Sequence, residues 1–175
     1  MQIIQGNSLL SRMRMVGVLT IHVRDAKTNR VLRTIVKRNT ITFAAGDIVR
    51  ALLSQRATDD TAAELQLGSM RFGTSATSPT RYDTDLLGEV STVRRELSDA
   101  KKVNGVTGEL SLRATIEATA GNGNTYREAG LFTKGVSWNG AVAGSLQCFA
   151  RQVHAAIEKT GSIALEYNWT LQFTV

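Results

Sequence analysis

Apolar and polar residues alternate most cleanly at the end of the chain, where Ile163, Leu165, Tyr167, Trp169, Leu171, Phe173 and Val175 interleave with Ala164, Glu166, Asn168, Thr170, Gln172 and Thr174. Strand side chains point alternately to opposite faces, so this pattern predicts a strand of about 14 residues, ~45 Å long, with one fully apolar face. The other face carries one charge, Glu166. A face in bulk water usually holds more Lys and Glu, so part of it is expected to lie against another strand, a loop or a subunit.

The same period recurs upstream. Leu19, Ile21 and Val23 oppose Thr20, His22 and Arg24, and after the turn-rich Asp25–Asn29 a second, looser arm sets Leu32, Thr34 and Val36 against Arg33, Ile35 and Lys37. Together they predict a β-hairpin whose second arm is either covered on both faces or lies at an edge. "LQLGSMRFG", "ELSLRATIEAT", "YREAGLFT" and "SLQCFARQVHAAI" predict further strands; the last also admits a short helix, but Phe149 and Val153 fit no strong helical stripe. Between them lie the polar loops "RATDDTAAE" and "TSATSPTRYDTD" and the turn segments "AGNGNT" and "SWNGAVAG".

One segment changes period. In "FAAGDIVRALLSQ" the residues Ala45, Ile48, Val49, Leu52 and Leu53 recur at helical spacing and predict a helix over 43–56. The fold class expected is therefore mainly β, an antiparallel β-sandwich of seven or more strands with that one helix. Residues 1–38 form a basic hairpin or arm belonging to the same domain, and 39–175 form the sandwich body.

Composition adds constraints on partners. The net charge is +6, yet residues 1–56 hold ten Lys/Arg against Asp25 and Asp47, while 57–175 hold eleven against thirteen acids. The basic excess is thus N-terminal, suited to nucleic acid, to an acidic neighbour, or to the acidic part of another copy. On the hairpin, Arg24, Lys27, Arg30, Arg33, Lys37 and Arg38 are able to track phosphates, but no aromatic stacking platform accompanies them. A single cysteine, Cys148, excludes an internal disulfide and suits a reducing compartment. The N-terminal segment lacks an apolar run of signal-peptide length, and no run approaches the ~20 apolar residues of a membrane helix, so a soluble chain made in the cytoplasm is expected.

Catalytic and metal patterns are weak. His22, His154 and Cys148 lie at no ligand spacing, and Asp83 and Asp85 lack the Gly and distal Glu of a calcium loop and read as turn carboxylates. "GNGN" lacks the third glycine of a dinucleotide fingerprint and the Lys-Ser/Thr of a P-loop, and no Gly-x-Ser-x-Gly elbow occurs. No catalytic residue, cofactor site or metal site is expected.

Four stretches carry a resemblance in their order: "RNTITFAAGDIVRALL", "LGSMRFGTSATSPTRYDTDLLGEV", "YREAGLFTKG" and "CFARQVHAAIEKTGSIALEYNWTLQFTV". Across residues 38–175 the chain resembles small virion proteins and fibre-attachment domains of tailed bacteriophages. In these a helix precedes a strand ending in a Gly-Thr turn, a loop closes on Thr-Asp-x-Leu, a Glu-x-Gly-Leu-Phe strand follows, and a Lys and a Gly introduce a long last strand. The resemblance implies a non-enzymatic structural component of the virion, made in the host cytoplasm and placed in tail, baseplate or collar. Capsid decoration is the alternative within the same class, and a nucleic-acid-binding domain is the alternative outside it. The expected partners are further copies in a symmetric oligomer and neighbouring virion proteins. The residues expected to meet them are those of the hairpin, Arg81 and Tyr82 in the long loop, and Glu166, Asn168, Thr170 and Gln172 on the last strand.

Overall fold

The computed structural model describes residues 14–53, 66–97, 101–104, 109–134 and 147–174. The expected loop at 56–64, the turn at 137–144, the last three residues of the expected helix and Val175 lie outside them. Among the described residues the chain is mainly β, with ten strands and one α-helix: β1 (Arg14–Asp25), β2 (Val31–Arg38), β3 (Thr40–Ile41), α1 (Phe43–Leu53), β4 (Leu67–Gly73), β5 (Arg95–Glu96), β6 (Lys101–Asn104), β7 (Glu109–Ile116), β8 (Thr125–Thr133), β9 (Cys148–Glu158) and β10 (Ile163–Thr174). They form two antiparallel sheets, ordered β2-β1-β10-β7-β6 and β3-β9-β8-β4-β5.

The first sheet follows from the alternation of its three middle strands. β10 pairs with β1 and β7, and the register aligns Leu19, Trp169 and Leu112 in one row, Ile21, Tyr167 and Ala114 in the next, and Val23, Leu165 and Ile116 in a third. All nine are buried. A slip of one residue would turn every one of them to the opposite face, so the pattern fixes the register. β2 is the edge strand: only Ile35 is buried, which explains why its alternation is loose. The hairpin turn is set by the Asp25 carboxylate, which accepts hydrogen bonds from the Thr28 amide and hydroxyl and the Lys27 amide, and by Asn29, whose φ of 57° lies in the left-handed region.

The second sheet lacks alternation for a different reason. β4 is buried along its whole length, and β8 from Glu128 to Thr133. Met70, Phe72, Ala129, Leu131, Phe149 and Ala150 belong to one apolar cluster with the inward residues of the first sheet, and the Phe72 and Tyr167 rings meet across it at 4.5 Å. The opposite face holds Arg71, Glu128, Gly130, Phe132 and Arg151, and is closed by the segment 74–90, whose Leu86 packs with Phe132 and Cys148. The expected Ser/Thr/Asp loop is thus a layer of the molecule.

Two turns are tied to the core by a buried lysine. Lys159 is 1% exposed, and its Nζ donates to the Ala118 carbonyl (3.1 Å), Asn122 Oδ1 (2.8 Å) and the Thr160 carbonyl (2.9 Å). This locks the β7–β8 turn against the β9–β10 turn. Burial lowers the Lys159 pKa, and the three acceptors satisfy the donors of its ammonium.

The packing makes two outcomes measurable. Removing Gln172–Val175 takes away the pairings of Gln172 with Val16 and Glu109, of Phe173 with Met15 and of Thr174 with Arg14, from the central strand of the sheet. The shortened chain is expected in the insoluble fraction on expression, and a soluble product with an unchanged melting curve would contradict this placement. His154, 5% exposed and without a partner for Nε2 among the described residues, has its pKa pushed down by burial to about 4. Unfolding lets it bind a proton, so stability is full above pH ~6.5 and falls toward pH 4, by about 3 kcal/mol in total from this group. Urea titrations between pH 7 and 4.5 are expected to show this slope in the native chain and a shallower one in His154→Phe.

Candidate interaction surfaces

The outer face of the second sheet is organised by a buried ion pair. Glu128 on β8 and Arg151 on β9 are both fully buried, with Arg151 Nε and Nη2 lying 2.8 and 2.7 Å from Glu128 Oε2. Arg151 Nη1 reaches Asp83 Oδ2 at 2.8 Å and Nη2 donates to the Thr77 carbonyl at 3.0 Å. The other Glu128 oxygen accepts the Gly88 amide at 2.7 Å and the Ser75 amide at 3.4 Å. The polar atoms of the pair are therefore met by the 74–90 loop, whose backbone supplies what bulk water would otherwise provide.

Local sequence makes this closure possible. A Cβ on Gly73 would collide with the Glu128 carboxylate and the Gly88 carbonyl, so the start of the loop needs glycine. Gly130 lies opposite Arg71 on β4 and Arg151 on β9, and a Cβ there would run into the Phe132 ring and the Leu86 side chain of the closing loop. Arg71 is 4.3 Å over the Phe132 ring and 3.3 Å from Glu89 Oε2, and the same carboxylate receives Arg94 through Oε1 at 3.1 Å. At the far end of the loop the Phe43 amide donates to the Arg81 carbonyl, and Thr42 ties the start of α1 to the Cys148 and Phe149 carbonyls.

Burial alone would raise the Asp83 carboxyl. Hydrogen bonds from Thr80 and the Arg151 guanidinium outweigh it and hold the pKa below the usual carboxylate range. Asp83 is therefore a turn carboxylate, as its Thr-x-x-Asp setting suggests, and also the third member of a buried charge cluster. Asp85 stays at the surface, with Oδ1 accepting the Leu86 amide and lying 3.8 Å from Arg71.

The residues expected to meet partners separate into two groups. Arg24 and Glu166 engage each other, with Nε 3.3 Å from Oε2, and Asn168 donates to Glu166 Oε1 at 2.8 Å. These three, with Thr170 and Gln172, are half-buried on the outer face of the first sheet, where β1 and β7 flank β10. The nearly uncharged face of the last strand is half-buried between the side chains of its flanking strands, and its one carboxylate is used internally. Lys27, Arg30, Arg33, Lys37 and Arg38 are exposed on the hairpin, and none is held in an ion pair among the described residues. Arg81 and Tyr82 are exposed as well, Tyr82 at 79%, and both pack on half-exposed Phe43: the rings of Tyr82 and Phe43 lie 5.1 Å apart and the Arg81 guanidinium 5.5 Å from the Phe43 ring.

Nucleophile chemistry finds little footing. Burial pushes the Cys148 thiol up to about 12, and His154, down at about 4, is neutral and enclosed at pH 7. His22 lies on the outer face of the first sheet, its Nδ1 3.1 Å from Thr34 Oγ1. Among the described residues no three His, Cys, Asp or Glu side chains gather as metal ligands, and no helix is long and apolar enough to cross a membrane. No family model, curated protein or solved structure matches the chain.

Arg151→Met removes one partner of the buried pair and leaves Glu128 without its counter-charge, an expected loss of about 3–5 kcal/mol. Chemical denaturation is the measure. Hydrogen exchange is expected to quicken at the Ser75 and Gly88 amides before it does in β10. A loss below about 1 kcal/mol, within the range of an exposed pair, would contradict the closure described here.

Proposed function

We propose that the protein is a non-enzymatic structural component of a tailed bacteriophage virion, a β-sandwich in which the two sheets face each other across the shared core. In this reading it is made in the host cytoplasm and assembles through contacts with copies of itself and with neighbouring proteins of the tail, baseplate or collar. Capsid decoration is the same role at another place on the particle. The order of motifs over residues 38–175 supports it. So does the observation that carries it: the Gly-Thr, Thr-Asp-x-Leu and Glu-x-Gly-Leu-Phe elements of that order meet in one construction, in which the Glu128 carboxylate lies against Gly73, accepts the Leu87 amide of Thr84-Asp85-Leu86-Leu87 at 3.4 Å and pairs with Arg151. A loop fastened this way offers a rigid outer surface, which favours association because little ordering entropy remains to be lost.

The basic hairpin serves as the second contact in this proposal, steering acidic neighbours through its exposed cations and offering the free edge of β2 for strand pairing. The same cations favour the alternative of nucleic-acid binding. Fluorescence anisotropy with duplex and single-stranded oligonucleotides separates the two. No binding below micromolar at low salt is expected, whereas tight binding with a steep salt slope would support the alternative. For the virion reading, the chain is expected to cosediment with gradient-purified particles of the phage that encodes it. Its absence from those particles would overturn the proposal.

A further inference from the structure

Beside the Phe43–Tyr82 ring pair lies an open depression of about 500 Å³, lined by Met15, Val16, Ile41, Phe43, Gly46 and Arg81. Two features make it a receptor for something. Gly46 is inside α1, where glycine weakens a helix by about 1 kcal/mol relative to alanine, and a Cβ there would meet nothing within 4 Å. No internal close approach accounts for the glycine, and it widens the depression. Arg81 stands at the rim, stacked on Phe43 and without an ion pair among the described residues. The complementary group is an apolar side chain with a carboxylate next to it.

The chain carries that group itself. Leu87 is 60% exposed and the Asp85 side chain 59% exposed, on the same loop as Arg81. The residues preceding β1 are a poorer match, since they contain Arg12 and no acid. Arg81 sits where the loop meets the start of α1, next to β3, and Asp85 sits near Arg71 on β4. The order β3-β9-β8-β4 separates these places by three strand spacings, ~14 Å. A two-fold axis through the middle of the loop brings Arg81 of each copy opposite Asp85 of the other. Such an isologous contact is made twice and closes on itself.

We propose that two copies pair through the outer face of the 74–90 loop, with Leu87 of one entering the depression of the other and Asp85 facing Arg81. This contact rests on the assembly reading above for the premise that copies associate. Sedimentation velocity from low to high micromolar concentration tests it. The native chain is expected to form dimers that weaken with salt. Arg81→Glu and Asp85→Arg are each expected to weaken them by about tenfold or more. An equimolar mixture of the two single variants regains dimers, because in the mixed pair the two reversed charges attract each other at one contact and the native Arg81 and Asp85 meet at the other. Gly46→Phe, which fills the depression from within, loses dimers with its melting temperature kept. Association of the single variants as strong as that of the native chain, or no recovery on mixing, overturns the contact and leaves self-assembly through another face standing. A native chain that stays monomeric throughout overturns the contact and self-assembly together.

Discussion

The Glu128–Arg151 pair and the 74–90 loop require each other. Two charges on the open face of a sheet would keep their water, and taking them out of water costs several kcal/mol per ion unless every lone pair and proton finds a partner. Here the partners are loop groups: the amides of Ser75 and Gly88, the Thr77 carbonyl and the Asp83 carboxylate. The loop, rich in Ser, Thr and Asp and without apolar periodicity, is held besides by Leu86 against Phe132 and Cys148, by Arg71 and Arg94 on Glu89, and by the Phe43 amide on the Arg81 carbonyl. An apolar pair of the same volume would pack as well but leave Ser75, Thr77, Asp83 and Gly88 without these partners. The ion pair is thus a device of specificity more than of stability, since its lone pairs dictate which backbone groups must arrive and in what orientation.

That fastening makes the two sheets unlike each other on their outer sides. The second sheet is sealed, and its exposed chemistry is moved outward onto the loop. The first sheet is left open: on its outer face Arg24, Glu166 and Asn168 engage one another beside Thr20, Ser111 and Thr170, and Val36, Arg38 and Arg113 are exposed there. Its edge strand is also guarded. Arg33 and Lys37 share the parity of buried Ile35, so charges stand on the core side of β2, an arrangement that discourages unselective edge pairing. In the proposed assembly the surfaces offered to partners are the loop crest and the cations of the hairpin.

Legibility in the sequence follows from this asymmetry. β1, β7 and β10 are readable because each has one face in the core and one outside, the condition that writes a period of two into the chain. α1 is readable for the corresponding reason at helical spacing. β4 and β8 are recognisable as strands only from β-rich composition between turns, since burial on both faces erases alternation. Strand order is not readable at all, because pairing β1 with β10 joins residues about 150 apart in sequence and no local pattern encodes it. Arg24 and Glu166 read as contact residues because a lone charge on a polar strand face looks available; only the register brings them together. The ion-pair cluster leaves a fainter trace that pattern reading passes over: Arg71 in "SMRFG", Glu128 in "REAGLF" and Arg151 in "CFARQV" are charges set inside apolar runs, where burial demands a partner.

A fastened loop also bears on how association free energy is divided. Ordering a free surface segment on binding costs about 0.5–1.5 kcal/mol per rotamer-rich side chain, with backbone terms added, and this sum commonly exceeds what a small contact returns. In this chain the backbone on either side of Arg81 and Asp85 is held before any partner arrives, by Phe43 at one end and by Glu128 through Gly88 at the other. The exposed apolar groups there are a tyrosine packed at a tilt against a phenylalanine, which has few torsions to lose, and a single leucine. The exposed hairpin cations are the opposite case: long, solvated and, among the described residues, without an ion pair, they would speed encounter over a Debye length but lose most of that effect in salt. In the proposed assembly, recognition would therefore separate into two physical tasks, approach by the hairpin and registration by the loop, and the buried Glu128–Arg151 pair beneath the loop is what would make the second possible.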